Sequence, residues 1–308
     1  MGVTSLEETV KYLAKKRNNS HFMLVDGMSQ LMTEKVKMCT SLDFHAFGLK
    51  WRFNIRSGVE EDYLSFYLHI IDEKCSGSKW EVNCTYKLGI VSQTAATDII
   101  MPFEMDFDSD RTSWGESEII SIESLRKACV VNDKAVFYAE ITGVKPRSLK
   151  VSSIPRTNGT AERLTLIETN NNRFSWKVTR FSSINSQVHM SYEFTFGPRR
   201  WYLQMYPKGC GEGKGNSFSL FLHASDFVSN VPAKVTKATF ILRVLDQHMR
   251  KQHYEYDADG VFDGKEDAWG SQTFLALEKL HNPSNGLLLN DKIHIVIEFL
   301  TLSTQDYL

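Results

Sequence analysis

Glycine-rich turns that end in lysine cradle phosphates, and the stretch Gly209-Cys-Gly-Glu-Gly-Lys-Gly215 invites that reading. Its spacing, Gly209-x3-Gly213-Lys214 followed by Gly215, is one residue short of a phosphate loop and lacks the Ser or Thr that holds magnesium. It also lies between two strand patterns rather than before a helix, so a flexible hairpin loop is expected. His248 and His253 with Cys210 or Asp257 have no metal-ligand spacing, and the run Met249-Arg-Lys-Gln-His253 reads as a solvated turn. Asp106 to Asp110 lack the Gly and distal Glu of an EF-hand. Cys84 has no matched His and reads as a small buried hydrophobe. No Gly-x-Ser-x-Gly elbow occurs. Nothing places an acid, a base and a nucleophile together, so no catalytic residue, metal or cofactor is expected. Recognition is the chemistry that remains.

The elements that would position a recognition surface occur twice, about 150 residues apart. The first copy reads Trp51, Leu64-Ser-Phe-Tyr-Leu-His-Ile70, Ser113-Trp-Gly115 and Val131-Asn-Asp-Lys134. The second reads Trp201, Phe218-Ser-Leu-Phe-Leu-His-Ala224, Ala268-Trp-Gly270 and Leu289-Asn-Asp-Lys292. Each copy is too long for a solenoid unit and large enough to bury its own core.

Strict alternation dominates both. Leu64, Phe66, Leu68 and Ile70 oppose Ser65, Tyr67 and His69, and Trp80 to Ile90 alternates likewise. Phe218, Leu220 and Leu222 point inward against Ser219, Phe221 and His223, and Ile293, Ile295, Ile297 and Phe299 alternate with His294, Val296 and Glu298. Half-buried antiparallel strands bounded by Gly, Asn, Asp and Pro predict a sandwich in each copy. One short helix is expected before each last strand, at Ser121–Lys127 and Ala276–Leu280. Another is expected over Ser5 to about Arg17, capped by Ser5 with Glu8 and carrying the stripe Leu6, Val10 and Leu13. The polar, Pro-bearing segment after the first copy reads as a linker.

Net charge of -1 recruits neither nucleic acid nor an acidic membrane surface. No apolar window is long enough to span a membrane. The N-terminus shows no secretory signal and misses the myristoylation pattern at Leu6. Five cysteines, an odd number with no CxxC pair, predict reduced thiols in the cytoplasm or nucleus.

These motifs together resemble the MATH (meprin and TRAF homology) domain, present twice. The resemblance is carried by Phe47-Gly-Leu-Lys-Trp-Arg-Phe53 with Leu64-Ser-Phe-Tyr-Leu68, by Gly197-Pro-Arg-Arg-Trp201 with Tyr206-Pro-Lys-Gly209 and Phe218-Ser-Leu-Phe-Leu222, and by the Trp-Gly and Asn-Asp-Lys elements. It implies two tandem eight-stranded antiparallel β-sandwiches, all-β, with a short N-terminal helix. The expected divisions are 1–19 (helical extension), 20–144 (first domain), 145–169 (linker), 170–303 (second domain) and 304–308 (tail). It further implies a non-enzymatic adaptor that binds short extended peptides of partner proteins, often beside ubiquitin-related machinery. Nothing in the chain resembles a BTB domain, a RING finger or a protease, so such an activity is expected from another chain. The alternative is a structural module whose sheets pair with each other or with further copies.

By the same resemblance, the peptide-binding residues are Tyr67, Tyr86, Ser113, Trp114, Gly115 and Glu116 in the first copy. In the second they are Phe221, Phe240, Ala268, Trp269, Gly270 and Ser271. Tyr67 and Phe221 also lie outward by parity, whereas Tyr86 and Phe240 group by parity with core residues such as Leu88 and Leu242. The family's Asp before Trp-Gly and Phe after it are missing here, replaced by Ser113 and Ala268 and by Glu116 and Ser271. Its serine-containing peptide preferences therefore do not carry over. Strand addition at a sheet edge needs little side-chain identity and would survive those changes.

Overall fold

In the computed structural model, the described residues are 5–33, 36–57, 62–71, 79–94, 97–147, 157–227, 235–248, 250 and 252–308. Cys75, part of the expected linker and part of the Met249–His253 run lie outside them. The chain divides into two units, residues 1–166 with 305–308, and residues 167–304.

Unit 1 begins with α1 (Leu6–Lys16). Its capping box forms as the sequence predicts: the Glu8 N–H donates to Ser5 Oγ and the Ser5 N–H to Glu8 Oε2, both at 3.2 Å. Val10 and Ala14 are buried against Phe22, Leu24, Val136 and Tyr138. The strands are β1 (Ser20–Asp26), β2 (Met38–Thr40), β3 (Phe44–Ala46), β4 (Leu49–Ser57), β5 (Tyr63–Ile70), β6 (Glu81–Ile90), β7 (Ile99–Asp108), β8 (Ser113–Ser121), β9 (Lys134–Pro146) and β10 (Thr160–Ile167). Helix α2 (Met28–Met32) follows β1, and α3 (Ile122–Ala128) follows β8. One sheet runs β10-β1-β9-β6-β7, the other β2-β4-β5-β8 with β3 also on β4.

Unit 2 repeats the plan with β11 (Arg173–Thr179), β12 (His189–Met190), β13 (Phe194–Phe196), β14 (Arg199–Tyr206), β15 (Ser217–Phe227), β16 (Val235–Val244), β17 (Tyr254–Phe262), β18 (Ala268–Ala276), α4 (Leu277–His281), β19 (Leu288–Leu289) and β20 (Lys292–Tyr307). Its sheets are β17-β16-β20-β11 and β12-β14-β15-β18, with β13 on β14. If β2/β3 and β12/β13 count as single interrupted strands and the two-residue β19 is set aside, the described residues of each unit form the expected eight, and β10 is an addition to the first.

The alternation settles which faces are buried. Leu64, Phe66 and Leu68 in unit 1 and Phe218, Leu220 and Leu222 in unit 2 are fully buried. The two conserved-in-repeat tryptophans do the same job: Trp51 and Trp201 are wholly buried and donate Nε1–H to the carbonyls of Ala46 and Phe196, each at 3.0 Å. The Asn-Asp-Lys elements are tight turns in which Asn132, Asp133, Asn290 and Asp291 all adopt positive φ, as a two-residue hairpin turn requires.

Two expected boundaries are corrected. Residues 160–167, placed in the expected linker 145–169, form β10, which pairs with β1 in parallel. Glu162 breaks the apolar pattern yet is fully buried, accepting the Leu42 N–H at 2.9 Å and lying 3.4 Å from His21. The tail 304–308 lies largely within β20, with Gln305 and Asp306 buried. Gln305 donates to the Thr40 carbonyl at 2.6 Å, and Arg163 bridges Asp306 and Glu7.

Candidate peptide-binding face

The candidate faces are the outer faces of the β2-β4-β5-β8 sheet in unit 1 and the β12-β14-β15-β18 sheet in unit 2. In unit 1, Tyr67 on β5 stands between Asn54 on β4 and Gly115 on β8, and His69 stands between Arg52 and Ser113. Gly115 lets the strands approach: a Cβ there would meet the Phe66 carbonyl oxygen at 2.0 Å. His69 Nε2 lies 2.7 Å from the Asn54 amide nitrogen. Burial pushes the His69 pKa down, and the charges of Arg56 and Arg52 add to that. Arg52 and Lys50 converge on Asp43, whose carboxyl would be raised by burial but is held low by these two cations.

Unit 2 builds the same positions from different chemistry. Phe221 stands between Gln204 and Gly270, and His223 between Tyr202 and Ala268. The His223 ring stacks on Tyr202 at 4.8 Å, and Tyr206 meets Phe221 edge-on at 6.1 Å. Burial lowers the His223 pKa against the opposing charge of Asp267, which favours a neutral aromatic ring. Arg52 and Arg56 thus correspond to Tyr202 and Tyr206, so one face is cationic where the other is aromatic.

Not all of the sequence-derived site residues meet on these faces. Tyr67, Ser113, Gly115, Phe221, Ala268 and Gly270 do. Glu116 is exposed on β8 at the register position of Phe66, and Ser271 is half-buried on β18 opposite Leu220. A register irregularity follows at the same point in both units. Tyr86 and Phe240 do not reach the faces: both are fully buried. Tyr86 stacks on Phe103 at 5.1 Å, and burial pushes its phenol pKa well up. A bulge does fall beside Tyr86, between Thr85 and Tyr86 in the pairing of β6 with β9, but it leaves the ring inside. Phe240 packs within 6.2 Å of Phe299. Parity was the correct guide for both.

Trp114 and Trp269 share register positions with the inward Leu68 and Leu222. Their indole N–H groups donate to the Asp106 and Val261 carbonyls at 2.7 and 2.8 Å, joining β8 to β7 and β18 to β17. Arg111 sits over the Trp114 ring at 4.6 Å. Both indoles are spent on closing the sandwich. Residues that sequence reasoning passed over are Asn54, His69 and Arg52, with Gln204, His223 and Tyr202. The signal was present in the period-two sets of β4 and β14, one strand away from the motif.

β8 and β18 end the strand order of their sheets among the described residues, so strand addition has an edge available in each unit. The other candidate chemistries dissolve into local structure. The glycine-rich loop forms a hairpin connection, but a tightly packed one, since a Cβ on Gly213 would lie 1.8 Å from the Gln272 carbonyl oxygen. It also covers Ser219, outward by parity yet buried, which accepts the Cys210 N–H and donates to Gln272 O. His253 Nδ1 accepts the Asp246 N–H, and Asp108 accepts the N–H groups of Asp110 and Arg111. Burial raises the thiol pKa of Cys129 to about 11 and that of Cys84 further.

A pair of β-sandwiches with an open edge and a varied outer face is the form of a protein-interaction module. The sequence pattern of the MATH domain matches residues 20–141 and 173–299, and the chain belongs to that family. A MATH domain and coiled-coil domain-containing protein of Arabidopsis thaliana is 35% identical over 127 residues, which is 41% of this chain and 38% of that protein. Ubiquitin C-terminal hydrolase 12 of the same plant is 29% identical over 135 residues, 44% of this chain and 12% of the hydrolase. Among solved structures, TRAF5 of Notothenia coriiceps matches 42% of this chain and 73% of its own at 22% identity and a TM-score of 0.36. The matched part therefore spans less than half of either plant relative. MATH domains mediate protein–protein interactions.

Proposed function

We propose that the chain is a non-enzymatic adaptor that binds extended peptide segments of partner proteins in the reducing cytoplasm or nucleus. The observation that carries this reading is the same arrangement built twice: an outward aromatic, Tyr67 or Phe221, opposite a glycine on an edge strand. A peptide added along β8 or β18 gains main-chain hydrogen bonds, and the neighbouring aromatic supplies contact area at small entropy cost. The two faces differ in charge, which suits two different segments, on one partner or on two. The ubiquitin hydrolase relative supports a role in recruiting substrates to ubiquitin-related machinery.

The test is a peptide array probed with the full chain and with Tyr67→Asp and Phe221→Asp variants. Each substitution is expected to abolish a different subset of spots, because each puts a charge on only one face. Should both variants keep every spot, the faces are not the reading surfaces. Should Phe221→Asp instead split an oligomer in light scattering while peptide binding survives, that face pairs copies of the chain.

A further inference from the structure

Away from the sheet face, unit 2 carries a cavity of about 250 Å³ at the end of the sandwich where α4 sits. Its walls are apolar: Phe181 and Ile184 after β11, Pro207 in the β14–β15 connection, and Leu277 at the start of α4. Lys208 and His281 line its exposed rim, and no carboxylate is among its described lining residues. From these features we propose a docking pocket for one bulky apolar side chain, presented by an acidic segment of a partner protein.

Three observations argue for it. The walls are already in place, because backbone hydrogen bonds hold the segments that carry them to neighbouring turns and loops. The Phe181 N–H donates to the Asp291 carbonyl at 3.1 Å, the Gly215 N–H to Lys208 O at 2.7 Å and the Leu277 N–H to Asn216 O at 2.9 Å. A preformed cavity spares the partner the cost of ordering it. At about 250 Å³ the cavity lies just below the roughly 300–1,000 Å³ of small-molecule and cofactor sites, and it has room for one bulky side chain. The charge selects its neighbours. The Phe181 ring backs onto Phe218 at 6.2 Å and faces the His281 ring at 6.4 Å, so an apolar group resting on Phe181 brings its flanking residues to His281 and Lys208. Carboxylates there would gain charge-assisted hydrogen bonds from the rim.

The experiment titrates the isotope-labelled full chain with acetyl-Asp-Asp-Leu-Asp-Asp-amide, followed by amide chemical shifts. Saturable shifts are expected at Phe181 to Ile184, Lys208, Gly215 and Leu277 to His281. Replacing the peptide leucine by alanine, or its aspartates by lysines, is expected to weaken binding at least tenfold. So is the double change Lys208→Glu with His281→Glu, which alters only exposed side chains. Phe221→Asp is expected to leave this binding unchanged, which separates it from recognition at the sheet face. Absence of saturable shifts in the pocket overturns the proposal. So does equal binding of the leucine and alanine peptides, indifference to the charge reversal, or loss of binding in Phe221→Asp.

Discussion

Asp133 and Asp291 show how a repeated motif can be structural at the level of single atoms. Each sits at positive φ in its hairpin turn and accepts twice from one serine. Ser182 donates its N–H and its hydroxyl to Asp291, both at 2.8 Å, and Ser29 does the same to Asp133 at 2.7 and 2.9 Å. The carboxylate thereby pins the segment after the first strand of each sandwich to the turn before the last. Asp291→Ala removes both bonds and places alanine in the left-handed region, where Asp is better tolerated. A loss of about 1–2 kcal/mol is expected, read as a lowered midpoint in urea with unchanged slope. An unchanged midpoint would mean that water replaces the carboxylate at no cost.

At the scale of the element, the edge strands depend on glycine. Gly270 on β18 lies so close to β15 that a Cβ would meet the Leu220 carbonyl oxygen at 2.1 Å and the Phe221 Cα at 2.7 Å. Backbone atoms cannot rotate aside, so Gly270→Ala has to push β18 away from β15. The cost is expected to be about 1–3 kcal/mol, of the size seen for overpacking. Hydrogen exchange should quicken at β18 and β15 amides, while β5 and β8 in unit 1 keep their protection. If exchange in β18 is unaltered, the strand has slack that the close approach does not suggest. The same substitution is expected to weaken peptide capture by unit 2, because it moves the edge to which a peptide would pair.

For the whole molecule, acidity is the condition that loosens the fold. Burial lowers the pKa of His69, His223 and His294, with nearby Arg or Lys charge adding to the effect at His69 and His294. Each folded value lies below the ordinary 6.5, so the unfolded chain takes up these protons first as pH falls. Their contribution is complete above about pH 6.5 and declines below it. A second decline follows from carboxylates. Burial alone would raise Asp43, Glu298 and Asp246, but cationic partners outweigh it, and Arg250 with the His248 N–H brings Asp246 to about 2. Carboxylates with depressed folded values stabilise above about pH 4, and that stability is lost as pH falls through the folded values. Melting temperature is therefore expected to fall from pH 7 to pH 5 and more steeply between pH 4 and 2. A flat profile from pH 7 to 5 would show that the histidines titrate alike in both states.

The alternation of residues by itself determined which side chains face the two cores, because successive side chains on a strand point to opposite faces whatever the partners are. The duplicated motifs determined that this happens twice, and the Ser5–Glu8 pair determined where the first helix starts. Tertiary structure decided what long-range partners decide. Strand β10 was hidden because its buried Glu162 is acceptable only with the Leu42 N–H, 120 residues earlier, and with His21 beside it. The final residues read as a tail until Arg163 and Thr40 supplied partners for Asp306 and Gln305. Tyr86 and Phe240 were assigned to the face by likeness and to the core by parity, and core packing took them. Trp114 and Trp269 were assigned to the peptide site by likeness alone, since an indole that closes a sandwich and one that meets a ligand carry the same motif. Only the carbonyls of Asp106 and Val261, across the gap between strands, distinguish the two.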